Sequence, residues 1–157
     1  MKPWLAAATV GLALAGQAQA ADLSCDEALA RVDTFGRLRW KDPVKAIPKW
    51  AVKVDCESEC VFFDPEGTRY EFIARDYMGD KELTAGTGTP WPWGLKADDG
   101  PAEVKAKLAR LLPNEGGMNV REGGPTYNLD IADCMVWIEV TFEGERGIKA
   151  VSLNAQP

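Results

Sequence analysis

The first twenty residues have the pattern of an export signal, which sets the compartment in which the rest of the chain must fold. Lys2 supplies a positive charge before the apolar stretch 4–16, and Ala18-Gln19-Ala20 is a small-residue cleavage motif. The apolar stretch is shorter than a membrane span requires. We therefore expect a mature chain of residues 21–157 that folds in the periplasm or outside the cell.

Four cysteines, at positions 25, 56, 60 and 134, are expected to form disulfides in that oxidising compartment. Cys56 and Cys60 flank a polar three-residue loop between two strand-like segments, so a bridge between them would close the mouth of a hairpin. Cys25 would then pair with Cys134 and tie the first helix to a late strand. The pairing of Cys25 with Cys56 and of Cys60 with Cys134 is the main alternative.

The absence of histidine excludes several kinds of active site. Serine and cysteine nucleophiles activated by histidine, histidine general bases and HExxH zinc sites all need this residue. The cysteine spacing differs from that of paired zinc knuckles, and no segment matches a calcium-binding loop. We therefore expect a protein that is not an enzyme and that holds no metal ion or other cofactor.

The predicted mature chain is acidic, with 17 basic and 24 acidic residues once Lys2 is removed. Because it has no run of basic residues, nucleic acid and anionic membrane surfaces are poor partners. The charge would suit a basic protein partner, although acidic surfaces are also common on proteins that have none. No integral membrane span is expected.

Two helices are predicted from capping residues and from apolar residues spaced by three or four positions. The first helix begins at the capping box formed by Ser24 and Glu27 and ends by Gly36. The second begins at Pro101, after two aspartates that suit the positive end of a helix, and ends by Pro113.

Alternating apolar residues predict strands at 50–56, 60–63 and 70–74 in the first half of the chain. The strongest alternation, over 134–142, and a return strand at 148–153 follow in the second half. The Gly-rich residues 114–125 are predicted to be a loop. The expected fold class is α+β, with helices packed on an antiparallel β-meander.

A segment rich in Gly, Thr and Pro, residues 84–93, predicts a linker. It would divide the mature chain into an N-terminal α+β module, residues 21–83, and a C-terminal α+β module, residues 94–157. Each half has a capped helix followed by strands and an acidic turn with glycine, which is the pattern of two tandem related modules. The alternative is that unrelated hairpins share such turns.

The second half resembles a known small module. Gly94-Leu95, Asp98, the segment Ala102-Glu103-Val104 and Leu108 precede an aromatic-rich strand, an acidic Gly turn and a final strand. This pattern resembles the α+β module of the outer-membrane assembly lipoproteins called BamE or SmpA, a module that occurs in tandem in the β-lactamase inhibitory proteins. The resemblance covers residues 91–153 and, more weakly, 24–74. It implies a fold and a protein-binding function, and it transfers no site residues.

Five residues are candidates for contact with a protein partner. Trp91 and Trp93 lie in the Gly/Pro-rich segment, where no helix or strand can bury them, and tryptophan is frequent at binding hot spots. Met135 and Trp137 lie on the strand face opposite the apolar stripe, and Tyr127 is grouped with them. The alternative is that the loop tryptophans fill a gap between the two halves and that a helix covers the strand face.

These observations predict an exported, disulfide-stabilised protein that acts by binding another protein. Its most specific form is an inhibitor or immunity-type protein directed at an exported enzyme or toxin. The alternative is an accessory protein of envelope assembly or of the cell wall. A small carboxylate-dependent hydrolase, with Asp98, Asp99, Asp130 or Asp133 as its acids, is the least favoured hypothesis.

Overall fold

One antiparallel sheet of eight strands is the framework of the chain. The computed structural model describes residues 23–42, 44–74, 77–113, 116–121, 124–131 and 134–155, and the predicted signal peptide lies outside them. The strands are β1 (Val52–Asp55), β2 (Cys60–Phe63), β3 (Arg69–Ala74), β4 (Tyr77–Thr84), β5 (Gly117–Arg121), β6 (Gly124–Asp130), β7 (Val136–Phe142) and β8 (Ile148–Ala155). The helices are α1 (Cys25–Val32) and α2 (Pro101–Leu108), with a short 3-10 turn at Pro92–Gly94.

The strands lie in the order β1-β2-β3-β4-β8-β7-β6-β5, and all neighbours are antiparallel. The first four strands follow one another in space as they do in the sequence, and so do the last four. β4 and β8 join them through a register that runs from Asp80 opposite Asn154 to Thr84 opposite Ala150. The sheet therefore continues without interruption across the middle of the molecule.

The expected fold class, α+β with helices packed on an antiparallel β-meander, is wrong. The structure is mainly one eight-stranded sheet, and its two helices have only eight residues each. The sequence reading missed β4, whose core-facing positions include Lys81, so that it lacks a continuous apolar alternation. It also placed all of β5 and the start of β6 in a Gly-rich loop.

Both helices begin where capping predicts. In α1 the Ser24 hydroxyl accepts a hydrogen bond from the Glu27 backbone, and the Glu27 carboxylate accepts one from the Ser24 N–H at 3.0 Å. These two bonds satisfy N–H groups that the first turn of a helix leaves without partners. α2 begins at Pro101, a position where proline loses no helical hydrogen bond.

The main hydrophobic core lies between the helices and one face of the sheet. Val136, Ile138, Val140 and Phe142 alternate along β7 and are all buried. They pack in one cluster with residues of α1 and α2, which places both helices on the same face. A second, smaller cluster on that face contains Val44, Phe62, Tyr70, Phe72 and Met78.

Disulfides link Cys25 to Cys134 and Cys56 to Cys60, which is the pairing that the sequence favours. The first attaches α1 to the segment before β7, and the second closes the β1–β2 hairpin. Two disulfides are typical of proteins that fold outside the cytoplasm. No helix in the described part of the chain is both long and apolar enough to cross a membrane.

A buried ion pair fixes the chain after α1 to the sheet. The Lys81 ammonium is fully buried on the helix-facing side of β4 and pairs with the Asp33 carboxylate. It also donates a hydrogen bond to the Leu38 carbonyl at 2.8 Å and lies 4.7 Å from the centre of the Phe35 ring. Burial lowers the pKa of Lys81 from its usual value, because removing the ammonium from water disfavours its charged form.

Candidate functional site

The sheet face opposite the two helices, which we call the open face, carries rows of polar side chains. Side chains alternate between the faces of a strand, so residues between the core positions of β7 point here. The register aligns these residues of β7 with residues of the neighbouring strands in two rows, which cross β3, β4, β8, β7 and β6. The first row is Glu71, Asp80, Asn154, Trp137 and Asp130, and the second is Arg69, Glu82, Ser152, Glu139 and Asn128.

The two rows contain five carboxylates and one guanidinium. Neighbouring strands lie about 4.8 Å apart, so each row is about 19 Å long. Lys149 is close enough to Glu82 to interact with it electrostatically. The carboxylates outnumber both cations, and most of these side chains are partly exposed. The open face is therefore an acidic surface built from strands that are far apart in the sequence.

Arg69 organises the β3 end of the rows. Its guanidinium forms ion pairs with Glu71 on the same strand and with Asp80 on β4, the second at 2.7 Å. Because both pairs use side chains with limited exposure, they are screened by water less than fully exposed pairs are. Arg69 therefore neutralises one end of the open face, while Glu82 and Glu139 lie in the second row beyond it.

Asp80 is the most strongly perturbed carboxyl group of the open face. Burial, together with the nearby Glu82 carboxylate, raises the pKa of Asp80 to about 7, although Arg69 acts in the opposite direction. Its Oδ1 atom is buried and has no hydrogen-bond partner among the described residues. Near neutral pH this group therefore exchanges between a neutral hydrogen-bond donor and an anion.

Glu82, on the neighbouring row of the same strand, also has a raised pKa. Burial raises the pKa of Glu82, and the Glu139 carboxylate across β8 adds to this shift, while Arg69 opposes it. A carboxylate that is partly desolvated and close to other carboxylates is stabilised electrostatically when a cation approaches. The arrangement can therefore bind lysine or arginine side chains of a partner.

Trp137 is the aromatic residue of the two rows. It lies in the first row between Asn154 of β8 and Asp130 of β6, and its side chain is partly exposed. A tryptophan among carboxylates can offer both apolar area and a cation–π contact to a basic side chain. Of the five residues predicted to contact a partner, Trp137 is the one that the strand register places on this face.

Trp91 and Trp93 lie on the helix side of the sheet, where both pack against the main core. The Trp93 indole N–H donates a hydrogen bond to the Val32 carbonyl at 2.8 Å, and its ring meets Phe35 edge-on with centroids 5.9 Å apart. These contacts fix Trp93 to the end of α1. Both side chains keep partial exposure, and their contact with a partner stays a prediction.

Tyr127 and Met135 lie in two further environments. Tyr127 is buried on the helix side, opposite Val140, and only 3% of its surface is exposed. Met135 precedes β7 in a backbone conformation with positive φ, and 60% of its surface is exposed. The structure therefore does not bring the five predicted contact residues together on one surface.

The aspartates considered for hydrolysis are also dispersed. The buried Asp99 carboxylate accepts a hydrogen bond from the Lys96 N–H at 2.7 Å and forms an ion pair with Lys107, so it stabilises the start of α2. Asp98 is exposed nearby, and Asp130 lies on the open face. Asp133 lies outside the described residues. Within those residues, no group of three or more histidine, cysteine or acidic side chains is arranged to hold a metal ion.

Sequence reasoning missed the acidic character of the open face because it depends on the pairing of β4 with β8. Asp80 and Glu82 are two residues apart, the spacing that puts both on one face of a strand. That spacing was a usable signal, but it has meaning only once β4 is recognised as a strand. Glu139 becomes their neighbour only through β8.

Comparison of the chain with protein-family models, with curated proteins and with solved structures finds no match in any of the three. The resemblance to BamE-like modules and to β-lactamase inhibitory proteins therefore stays a prediction from the sequence.

Proposed function

We propose that this is an exported, non-enzymatic binding protein that recognises a basic surface on another protein through its open face. The observation that carries the proposal is the excess of carboxylates in two registered rows across five strands. Acidic and basic surfaces attract each other before contact, which accelerates association and rejects partners of the wrong charge.

The chemistry of the rows favours a protein partner. Their length of about 19 Å is enough for several side chains of a partner to bind side by side. Trp137 adds an aromatic contact of the kind that contributes most to protein interfaces, and the polar side chains of Ser152 and Asn154 lie between the acidic strands. A rigid sheet also holds these groups in place before binding, which reduces the entropy lost on association.

The most specific form of the proposal is an inhibitor or immunity-type protein whose partner is an exported enzyme or toxin. The two disulfides suit a protein that works in an oxidising compartment. An accessory role in envelope assembly would use the same face and differs only in the identity of the partner.

The test begins with residues 21–157, with disulfides intact, as bait in periplasmic extract. The retained protein is identified by mass spectrometry and purified, and its Kd is measured at several salt concentrations. The double variant Glu82→Gln, Glu139→Gln keeps the side-chain shapes and removes two charges. We expect it to raise the Kd at least tenfold at low salt and to reduce the salt dependence.

The matched control removes two charges from the exposed turn between β7 and β8, in the variant Glu143→Gln, Glu145→Gln. It should leave the Kd within a factor of two. Trp137→Ala, a second open-face variant, should also weaken binding. The proposal would be contradicted if open-face and turn variants changed the Kd equally, or if the Kd did not depend on salt concentration. Loss of the partner's enzymatic or toxic activity in the complex would favour the inhibitor form.

A further inference from the structure

An apolar groove of 320 Å³ lies beside the second hydrophobic cluster, on the helix side of the sheet and away from the open face. Phe62 and Phe72 form its floor, with ring centroids 5.7 Å apart and ring planes 10° from parallel. Both rings are almost fully buried. The rest of the lining, which we call the rim, consists of residues 44–47 and of Cys56 and Cys60, which are joined by a disulfide.

Among the described residues that line the groove, Lys45 is the one with a charge. Its side chain is exposed, and it forms no ion pair with any described residue. It belongs to the segment 37–53, which contains six basic residues and one acidic residue in a chain of net charge −6. An ammonium with no partner at the edge of an apolar surface attracts an anion that carries an apolar group.

We propose that the groove binds a single-chain amphipathic carboxylate, such as a medium-chain fatty acid. The hydrocarbon tail packs against the apolar lining of the groove, above the rings of Phe62 and Phe72, and the carboxylate lies at the Lys45 ammonium. The groove volume is at the lower end of the range for small-molecule sites, so it suits one chain and excludes a two-chain phospholipid. The site is independent of the proposed protein-binding function because it lies on the opposite face of the sheet.

Titration calorimetry with the purified chain, disulfides intact and probes below their micellar concentrations, tests both parts of the site. We expect decanoate to bind about tenfold more tightly than octanoate, since two more methylene groups are buried. Decyltrimethylammonium has a chain of the same length and the opposite charge, and we expect it to bind at least tenfold more weakly than decanoate.

Three variants distinguish this groove from other surfaces. Lys45→Glu reverses the rim charge and should weaken decanoate binding at least tenfold. Ala46→Trp places a large side chain at an exposed rim position and should abolish binding. Lys49→Glu is the matched control, because Lys49 is exposed in the same basic segment but does not line the groove. It should change the Kd less than threefold.

Fluorescence of Trp50 gives an independent readout, because its ring lies 6.0 Å from that of Phe62. Decanoate should shift the emission, and the shift should disappear in Trp50→Phe. Equal binding of the anionic and cationic probes, undiminished binding to Ala46→Trp, or no binding of decanoate would each overturn the proposal. Preferential binding to phospholipid vesicles over free decanoate would do so as well, since it would identify a membrane surface as the occupant.

Discussion

Lys81 stabilises the attachment of β4 to the segment after α1, and it is also the reason why β4 could not be predicted from apolar alternation. Its ammonium occupies a fully buried position that an apolar residue would normally fill, and Asp33 compensates for the charge. The network extends through Leu38 and Phe35, so the segment after α1 is attached to β4 at several points. Removing one member of such a pair leaves the other buried and uncompensated.

The variant Asp33→Ala tests this dependence. We expect it to lower the free energy of unfolding by about 3–5 kcal/mol, because the fully buried Lys81 ammonium loses its carboxylate. Urea denaturation measures the effect. Lys41→Ala, which removes an exposed pair with Asp26, is the control and should cost less than about 1 kcal/mol. Equal losses in the two variants would mean that the buried pair has no special role.

The pKa of Asp80, raised to about 7, makes stability depend on pH. Between pH 3.8, the usual pKa of an aspartate, and about pH 7, the folded state holds a proton that the unfolded state has released. Raising the pH through this window therefore lowers the free energy of unfolding. The pKa difference sets a limit of about 4 kcal/mol, and partial solvent exposure of the carboxyl reduces our expectation to about 2 kcal/mol.

Asp80→Asn checks this directly, because asparagine does not ionise. Urea unfolding of the wild type and the variant is measured at pH 4.5 and at pH 8. We expect the free energy of unfolding to fall less between these pH values in the variant than in the wild type, by about 2 kcal/mol. Glu143→Gln, in an exposed turn, should keep the wild-type dependence. Identical pH dependence in Asp80→Asn and the wild type would show that another group is responsible.

Among the elements, those with strong local signals were predictable. Both helix starts follow from Ser24, Glu27 and Pro101, and β7 follows from its strict alternation. β4 was not predictable from periodicity, because Lys81 replaces an apolar residue on its core side and polar residues alternate with it. β5 and the start of β6 contain glycines that locally indicate a loop, and their strand character depends on pairing within the sheet.

Less of the candidate site than of the fold could be predicted from the sequence. Trp137 was identified, because the alternation along β7 separates it from the core stripe. Asp80, Glu82 and Glu139 were not identified as a group, since β8 brings β4 and β7 together from distant parts of the chain. Local patterns can place a residue on one face of a strand, but they cannot say which strand lies beside it.

The two disulfides should contribute unequally, because they close loops of very different length. Cys25 and Cys134 are 109 residues apart, and Cys56 and Cys60 are four apart. On the chain-entropy model, replacing the first pair by alanine lowers the free energy of unfolding by about 4–5 kcal/mol, and replacing the second by about 2 kcal/mol. Chemical denaturation of the two double variants measures the difference. A larger loss for the Cys56–Cys60 pair would contradict this order.

At the scale of the whole molecule, the pairing of β4 with β8 makes the two halves one structural unit. Leu83 of β4 is fully buried and lies opposite Val151 of β8, in the same cluster as residues of both helices. A core shared in this way couples the stability of the N-terminal strands to that of the C-terminal strands. The molecule should therefore unfold in a single transition.

Leu83→Ala tests the coupling. We expect a loss of about 2–5 kcal/mol from the cavity that it creates. Amide hydrogen exchange should show β2 and β7 losing protection together as denaturant is added, in the variant as in the wild type. Val120→Ala, at a position with 88% of its surface exposed, is the control and should cost little. Early loss of protection in one strand alone would indicate two independent units.

The strand order also has a consequence for how copies of this chain meet. The sheet ends at β1 and β5, and an outer strand is a template for further strands. Two copies that join β5 to β5 form a closed pair about a two-fold axis, whereas joining β5 to β1 leaves a free end after every addition and grows a fibre. The irregular register at Lys53, where φ is positive, distorts the β1 end and so makes it a poorer template for a further strand than a regular edge would be.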